Sequence, residues 1–311
     1  MTAILGIATY IPEDRQDWSA ASAFAVPPGF LDGKIGTARV ARKKAAEDTS
    51  DLCCAVFAAL QRKIVVPLDR VACLVVVTQN PDGCGLPHTA AAVHAKIGAP
   101  STAATFDLSQ GCAGYIYGLS VVGAFLASQN ADFGLLFTCD PYSKIVDPAD
   151  RDTALLFGDA ASVTLIGRTG TAGAWAAHAF RFQSVTGERT ALENRSGKLY
   201  MNGRGIFNFA ATVVPREVKA VLCANNLAKN DVDKYLFHQG SKYIVETLAH
   251  RLDLPSEAVP QKIQNIGNTV SSSIPLVFED LIDRPELRRM LMCGFGVGLS
   301  VATCLVERSD N

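Results

Sequence analysis

Two periodicities of hydrophobic residues alternate along the chain. Near-continuous apolar runs at 70–78 and 133–138 are typical of strands that are buried on both faces. Apolar residues spaced three or four apart at 48–62 and 115–126 are typical of helices with a buried face. Strands that alternate with helices in this way favour a parallel or mixed sheet covered by helices. The pattern therefore predicts an α/β fold.

The second half of the chain repeats the order of elements in the first half. An apolar strand at 234–237 ends at His238, and it matches the strand at 70–78. A turn at 263–268 and the helix after it match the turn and the helix around Cys112. We expect the two halves to pack as a pseudo-dimer in which the helix-bearing turns face each other.

The remaining strands extend this correspondence and locate the boundary between the halves. A strand at 290–293 matches the strand at 133–138, and a glycine-containing hairpin over 295–306 matches a strand pair predicted over 154–166. Residues 167–200 have less pattern and form the join. The chain divides on this basis into residues 1–170 and 171–311.

Composition excludes several classes of function. The 311 residues include 29 basic and 30 acidic side chains, so the charge does not indicate a nucleic acid or an anionic membrane as a partner. The N-terminal residues lack the pattern of a signal peptide, and no apolar run approaches the roughly 18 residues of a membrane span. Nine scattered cysteines without a Cys-x-x-Cys pair predict neither a disulfide framework nor a metal site. These features are typical of a reduced, cytoplasmic protein.

A basic stretch at 39–44 has two interpretations. It forms a solvated face, or it is a docking site for a phosphate-bearing substrate or an acidic partner. The first interpretation is the more common one for a run of charges.

Cys112 stands out among the cysteines because of its neighbours. An apolar strand leads into it, helical spacing follows it, and small residues (Gly111, Ala113 and Gly114) let a substrate approach the sulfur closely. The dipole and the free amides at the start of a helix favour a thiolate, which is the nucleophilic form. The alternative is inert packing, because free cysteine is among the most buried residue types.

His238 and Asn268 are the candidate partners of Cys112. All three residues follow strand ends or equivalent turns of the two halves, and functional side chains of α/β folds lie at the carboxyl ends of strands. Taken singly, the histidine is a structural residue at a strand end and the asparagine is a turn or cap residue. Taken together, they form a constellation, since cysteine nucleophiles use histidine and asparagine partners that are distant in sequence.

This constellation is suited to acyl transfer through a thioester. Cys112 would accept the acyl group, and His238 and Asn268 would offer two neutral hydrogen-bond donors to a carbonyl oxygen that becomes negative. Such donors are worth about 3 to 4 kcal/mol apiece in a transition state. The glycine-rich turn at 294–298 is either a tight hairpin turn or a source of amides for an oxyanion hole, and the two roles are compatible.

Several segments, in this order along the chain, resemble the class III β-ketoacyl-[acyl carrier protein] synthases of the thiolase superfamily. The resemblance covers most of the chain, and the contexts of the cysteine, the histidine and the asparagine together are highly specific. The matching segments are Asp107 to Gly114, Asp147 to Arg151, Phe157 to Ala160, Met201 to Phe207, Phe237 to Gln239, Gly267 to Pro275 and Gly294 to Gly298.

The resemblance implies a five-layered αβαβα fold, a homodimer and a two-step reaction. An acyl group from acyl-CoA or an acyl carrier protein loads onto Cys112, and malonyl-carrier protein or malonyl-CoA is then decarboxylated and condensed. His238 and Asn268 bind the malonyl thioester carbonyl, and Phe295 lies beside the site of decarboxylation within a loop that includes Gly296, Val297 and Gly298. No permanently bound cofactor and no metal are implied. Weaker implied contacts to the substrate or its carrier are Phe30, Lys34, Arg151, Gly203, Arg204, Ser241 and Lys242.

The chain departs from the family pattern at the positions that meet the acyl donor. Phe30 and Lys34 stand where the family often has a tryptophan and an arginine that clasp the adenine of CoA, and Gly240 and Ser241 replace an Ala-Asn pair. These departures favour a specialised priming role, as in a polyketide or secondary-metabolite pathway. Two alternatives stay open: an acyltransferase that uses an oxygen, nitrogen or carbon acceptor without decarboxylation, and a catalytically silent subunit of a heteromeric synthase.

Overall fold

A computed structural model describes residues 2–18, 24–168, 173–187 and 189–309 of the chain. The strands are β1 (Thr2–Tyr10), β2 (Arg15–Asp17), β3 (Arg39–Ala41), β4 (Val71–Val77), β5 (Ala104–Leu108), β6 (Phe133–Cys139), β7 (Ala161–Gly167), β8 (Trp175–Ser184), β9 (Leu192–Arg195), β10 (Lys198–Met201), β11 (Lys234–Phe237), β12 (Arg289–Gly296) and β13 (Ser300–Arg308). The helices are α1 (Thr49–Lys63), α2 (Thr89–Ile97), α3 (Gly114–Gln129), α4 (Arg151–Ala154), α5 (Gly203–Ala224), α6 (Lys242–Leu252) and α7 (Ser273–Glu279).

The sheet order confirms the duplicated α/β architecture. Within the described residues, nine strands form one sheet in the order β11-β12-β13-β8-β1-β7-β6-β4-β5. The order β4-β6-β7-β1 of the first half recurs as β11-β12-β13-β8 in the second. In both halves the first pair is parallel and the next two pairs are antiparallel. The two half-sheets are joined by a short antiparallel pairing of β1 with β8. The sequence pattern did not predict this pairing.

Helices α3 and α7 form the middle layer between the two half-sheets. Tyr115, Leu119 and Val122 of α3 are fully buried in a core that contains side chains from both halves, including Ile4 and Met292. Helices α1 and α2 pack on the outer face of the first half-sheet, and α5 and α6 pack outside the second. This is the five-layered arrangement, and it places the turn before α3 opposite the turn before α7.

The apolar run of β4 is continuous because both of its faces are buried. Cys73, Val75 and Val77 point into the middle layer, whereas Leu74 and Val76 point into the core beneath α1 and α2. A strand with helices on both sides has no polar face, so the two-residue alternation of hydrophobicity is lost.

One local prediction is wrong, and another falls outside the described residues. The stretch 154–166 does not form a strand pair, because β7 begins only at Ala161 and the residues before it bond to the Asn268 segment of the other half. The weakly patterned join contains β8, β9 and β10. The predicted boundary between residues 170 and 171 lies outside the described residues. No helix in the described ranges is both long enough and apolar enough to span a bilayer.

Candidate active site

Cys112, His238 and Asn268 line a single cavity of about 400 Å³ between the two halves. Phe295 and Gly296 line it beside them. Each of the three side chains is buried, so the trio lies at the inner end of the cavity and not on the surface. Further predicted residues that line this cavity are Phe30, Lys34, Arg151, Gly203, Arg204 and Ser241.

The sulfur of Cys112 lies against the end of β12. Strand β5 ends four residues before Cys112 and α3 begins two residues after it, so the residue occupies the predicted turn. The backbone N–H of Val297 donates a hydrogen bond to the sulfur. A Cβ atom on Gly296 would lie 2.7 Å from Sγ, and one on Gly294 would lie 2.7 Å from the Cys112 carbonyl oxygen. The glycines at 294 and 296 are therefore required for this close approach.

The resting sulfur is a thiol, contrary to the prediction from its place before a helix. Burial raises the pKa of Cys112 to about 12, and the charge of Asp140 adds to the rise, whereas hydrogen bonds from the backbone N–H groups of Val297 and Cys112 oppose it. Asp140 is itself buried, and burial raises its pKa to about 6 against hydrogen bonds that include the Gln79 N–H and the Ser271 hydroxyl. Desolvation thus outweighs the helix dipole at this position.

His238 follows β11 directly and is neutral. Its backbone N–H donates to the Cys293 carbonyl, 2.9 Å away, which fixes the residue to the neighbouring strand. Burial lowers the pKa of His238 to about 3, although a backbone hydrogen bond with Val270 acts in the opposite direction. Nδ1 lies 2.7 Å from Oγ of Ser273, and Nε2 lies 3.5 Å from Nδ2 of Asn268. At neutral pH the ring therefore carries one hydrogen and no charge.

Asn268 is held by the opposite half of the molecule. Its N–H donates to the Leu156 carbonyl at 2.8 Å, and its own carbonyl accepts from the Gly158 N–H at 2.9 Å. The side-chain Oδ1 accepts from the Val270 N–H at 2.9 Å, and Nδ2 donates to the Gly240 carbonyl at 3.3 Å. Both ends of the side-chain amide are thus oriented by backbone groups.

The backbone beside Asn268 is strained. Val270 has a φ of 53°, in the left-handed region that β-branched residues rarely occupy, and it is fully buried. Such strain persists only where the surroundings impose it, and it concentrates at functional sites.

Arg42 supports the same contact from the first half. It belongs to the basic stretch for which a solvated face was the more common interpretation, but its guanidinium donates to the Phe157 carbonyl at 2.6 Å and is largely buried. Phe157 forms an isolated parallel bridge with Asn268. Arg39, by contrast, forms an exposed ion pair with Asp17. The basic stretch is therefore partly a structural anchor for the site.

We expect Gly158→Ala to disturb Asn268 more than any other part of the fold. A Cβ atom at this position would overlap the carbonyl oxygen of Ile266, so the two segments must separate. Overpacking of this kind costs about 1 to 3 kcal/mol of unfolding free energy. Calorimetry should show a lower melting temperature than for Gly187→Ala, where no atom lies within 4 Å of the added carbon. Equal melting temperatures of the two variants would contradict this account of the contact.

The mouth of the cavity is aromatic and cationic. The Tyr243 ring contacts the Lys34 ammonium, 3.9 Å from its centroid, and stacks on the Phe207 ring with centroids 5.2 Å apart. Arg151 and Arg204 line the cavity as well. These groups are suited to a ligand that carries phosphate at the outer end and a thin, uncharged arm further in.

Three predicted residues, Lys242, Val297 and Gly298, do not line the cavity. The ammonium of Lys242 pairs with the carboxylate of Glu246 on α6, with Nζ 3.9 Å from Oε1. Gly298 is exposed in the turn between β12 and β13. The backbone of Val297 reaches the sulfur of Cys112, and its side chain packs against the buried cluster that contains Cys112.

The apolar wall of the cavity was not predicted from the sequence. Leu192 and Met201 are cross-strand partners in the β9–β10 hairpin, and both point at the cavity. Tyr142 packs against Phe157 with ring centroids 4.9 Å apart and shares a buried cluster with Cys112. The hairpin lies in the join, where no periodicity marked it, so only its position between two matched halves could have drawn attention to it. Leu156 and Ile206 complete this wall.

Comparisons with known proteins agree on one family. The family model described as 3-oxoacyl-[acyl-carrier-protein (ACP)] synthase III matches residues 106–184, and the model of its C-terminal part matches residues 222–308. A β-ketoacyl-[acyl-carrier-protein] synthase III of Latilactobacillus sakei is 30% identical over 319 residues, which cover 96% of this chain and 93% of the relative.

Solved structures give the same result. The 3-oxoacyl-(acyl carrier protein) synthase III of Pseudomonas aeruginosa superimposes with a TM-score of 0.89 at 29% identity, over 100% of this chain and 98% of the other. The corresponding synthase of Burkholderia xenovorans has a TM-score of 0.90 at 28% identity, over 99% and 94% of the two chains. A priming β-ketosynthase from a polyketide biosynthetic pathway shares the fold with a TM-score of 0.88 at 23% identity, over 100% and 97%.

Proposed function

Because the chain belongs to the 3-oxoacyl-[acyl-carrier-protein] synthase III family, we propose that it loads an acyl group onto Cys112 and condenses it with a malonyl thioester. The protein is an acyltransferase of the β-ketoacyl synthase type. The proposal for its residues rests on one observation: a buried thiol and two neutral hydrogen-bond donors, His238 and Asn268, face the same apolar cavity.

In the first step, the sulfur of Cys112 attacks the thioester carbonyl of the donor. A bond forms between Sγ and the acyl carbon, the bond from that carbon to the donor sulfur breaks, and the departing thiolate takes up the proton that Cys112 gives up. The N–H of Val297 stabilises the sulfur as its charge develops. Since the pKa of the free thiol is about 12, deprotonation is coupled to the arrival of the donor and is not complete beforehand.

In the second step, the malonyl thioester loses carbon dioxide. The electron pair of the broken carbon–carbon bond moves to the α-carbon and onto the thioester oxygen, where His238 and Asn268 each donate a hydrogen bond to the enolate. The α-carbon then attacks the acyl carbonyl on Cys112, the bond from that carbon to the sulfur breaks, and the sulfur leaves as a thiolate that takes up a proton from solvent. The Phe295 ring packs against His238 in a T-shaped pair with centroids 5.4 Å apart. It gives the departing carboxylate an apolar neighbour, which favours neutral carbon dioxide.

The substrates proposed for this site are phosphopantetheine thioesters, carried by CoA or by an acyl carrier protein. Lys34 and Arg204 supply positive charge at the mouth for phosphate groups, and Arg151 lies beside them in an ion pair with Asp152, which also lines the cavity. Phe30 and Gly203 line the route inward, and Ser241 caps α6 by accepting from the Ile244 N–H at 3.3 Å.

Intact-protein mass spectrometry tests the proposal. The wild-type enzyme is incubated with a panel of acyl-CoA and acyl-carrier thioesters, and malonyl-carrier protein is then added. We expect a mass gain equal to the acyl group, followed by its discharge with release of carbon dioxide. A stable acyl-enzyme that ignores malonyl thioester would instead indicate transfer to another acceptor.

We also propose that two copies of the chain form a homodimer through α3. This helix contains no charged residue and is apolar on all sides, yet Tyr117, Val121 and Phe125 are only partly buried. A helix that is apolar all round is normally covered on all sides. Next to it, β5 is half-buried along its whole length and pairs with β4 alone within the described residues. A second copy would cover the helix and continue the sheet.

We expect Val121→Arg to dissociate this dimer, because it introduces an unpaired charge into an apolar contact. Light scattering coupled to size-exclusion chromatography should give the mass of one chain for the variant and of two chains for the wild type. Val65→Arg, on a residue that is 93% exposed elsewhere on the first half, serves as the control and should stay dimeric. A wild-type mass of one chain would contradict the proposal.

A further inference from the structure

We propose that the Ser273 hydroxyl is a positioning group that keeps the hydrogen of His238 on Nε2, the nitrogen that faces Asn268. This inference rests on the proposed function, in which His238 donates a hydrogen bond to the malonyl thioester oxygen. Neutral imidazole carries one hydrogen on either nitrogen, and only the form with the hydrogen on Nε2 can act as that donor.

The hydrogen-bond partners of Ser273 decide between the two forms. Its Oγ accepts from the Gln239 N–H at 3.4 Å and lies 2.7 Å from Nδ1 of His238, and these are its two partners in the described part of the chain. If Nδ1 carried the hydrogen, Oγ would accept from both neighbours, and the buried hydroxyl hydrogen would have no acceptor. If Ser273 donates to Nδ1, every group is paired, as buried polar groups require.

The same choice determines what Asn268 does. Its Oδ1 accepts from the Val270 N–H, and Nδ2 gives one of its two hydrogens to the Gly240 carbonyl. The second hydrogen lies on the side of Nε2 of His238, 3.5 Å away. With a bare Nε2, Asn268 would donate to the ring, and both groups would be lost as donors to substrate. With a hydrogen on Nε2, the ring and the amide both offer N–H groups to the cavity, so one hydroxyl controls two donors.

A matched pair of serine variants tests this role kinetically. Ser272 is the adjacent residue, equally buried, but its hydroxyl lies 3.0 Å from the Thr138 carbonyl oxygen, 3.3 Å from that of Ala160 and 2.8 Å from the Thr138 hydroxyl. We expect Ser273→Ala to load the acyl group normally and to lower kcat for malonyl decarboxylation about 10- to 100-fold, less than outright removal of a donor. Its KM should change little. Ser272→Ala should keep decarboxylation near the wild-type rate, and Ser273→Thr, which retains the hydroxyl, should recover most of it.

Nitrogen-15 NMR of histidine-labelled protein measures the position of the hydrogen directly. The His238 signals are identified by their loss in His238→Ala. We expect the wild type to carry the hydrogen on Nε2 and Ser273→Ala to shift it toward Nδ1. A wild-type hydrogen on Nδ1 would overturn the inference even if Ser273→Ala failed to fold, and so would equal decarboxylation by Ser273→Ala and Ser272→Ala. If His238→Ala decarboxylates at the wild-type rate, the proposed function itself fails.

Discussion

We expect Cys112→Ala to show no acyl mass gain with any thioester donor, whereas it still decarboxylates malonyl thioester. The acyl group needs the sulfur, and Cys112 is the only cysteine that lines the cavity among the described residues. Decarboxylation needs only an acceptor for the enolate charge, which His238 and Asn268 supply through groups that the substitution does not touch. The loss of loading is therefore complete, and the loss of decarboxylation is small.

The measurement is intact mass after incubation with donor, together with carbon dioxide release from malonyl thioester. Cys223→Ala is the matched control, because Cys223 is an exposed free cysteine that would capture label by chance. It should load as the wild type does. Acyl mass on Cys112→Ala would place the nucleophile elsewhere and contradict the proposed function.

The rate at which Cys112 is alkylated, measured as a function of pH, reports the thiolate fraction of the same residue. Because burial raises the pKa of its thiol to about 12, the thiolate fraction should rise with pH across the whole range above neutrality. This differs from the sequence-based expectation of an activated thiolate. The strand that encloses the sulfur, from Gly294 to Gly296, lies about 180 residues away in the chain, so no local pattern around Cys112 could reveal how completely it is desolvated.

The sequence was informative where one element determines its own environment. Strand β4 is apolar throughout because it is buried on both faces, and α3 carries apolar residues three or four apart, so both could be recognised from the local pattern alone. The trio was found because its members follow equivalent elements of two halves whose order repeats. The expected layers, and the facing turns, follow from the same repeat.

The sequence did not predict the surroundings of a side chain where two distant segments of the chain form them together. Arg42 belongs to a run of basic residues, yet it is buried because the Phe157 carbonyl lies within reach of its guanidinium. Ser273 is one of three consecutive serines with identical local character, but their hydroxyls meet Asp140, Thr138 and His238 respectively. Only the packing of the turn Val270–Ser272 against β6, and of α7 against β11, distinguishes them.

The second large effect is expected at His238 and Asn268. We expect His238→Ala and Asn268→Ala each to lower malonyl decarboxylation about 10²- to 10³-fold, the usual cost of removing one donor to a developing oxyanion. Acyl loading should remain, because the backbone N–H of Val297 and the turn before α3 serve that step. Carbon dioxide release measures the first effect, and intact mass measures the second.

Asn268→Asp separates the donor from the shape of the side chain. The carboxylate has nearly the volume of the amide, and one of its oxygens would still accept from the Val270 N–H. The other oxygen would replace the Nδ2 donor with a negative charge that repels the enolate, so decarboxylation should fall at least as far as in Asn268→Ala. Recovery of activity in this variant would show that Asn268 shapes the cavity and does not bind the enolate.

The double variant His238→Ala with Asn268→Ala distinguishes a shared oxyanion site from two independent roles. Nε2 and Nδ2 lie 3.5 Å apart, close enough to bind one oxygen together. If one enolate oxygen uses both donors, loss of the first leaves the second poorly placed, and the combined effect should be much smaller than the product of the single effects. A full product would mean that the two side chains act on different atoms of the substrate, and the two-donor description of the second step would then be wrong.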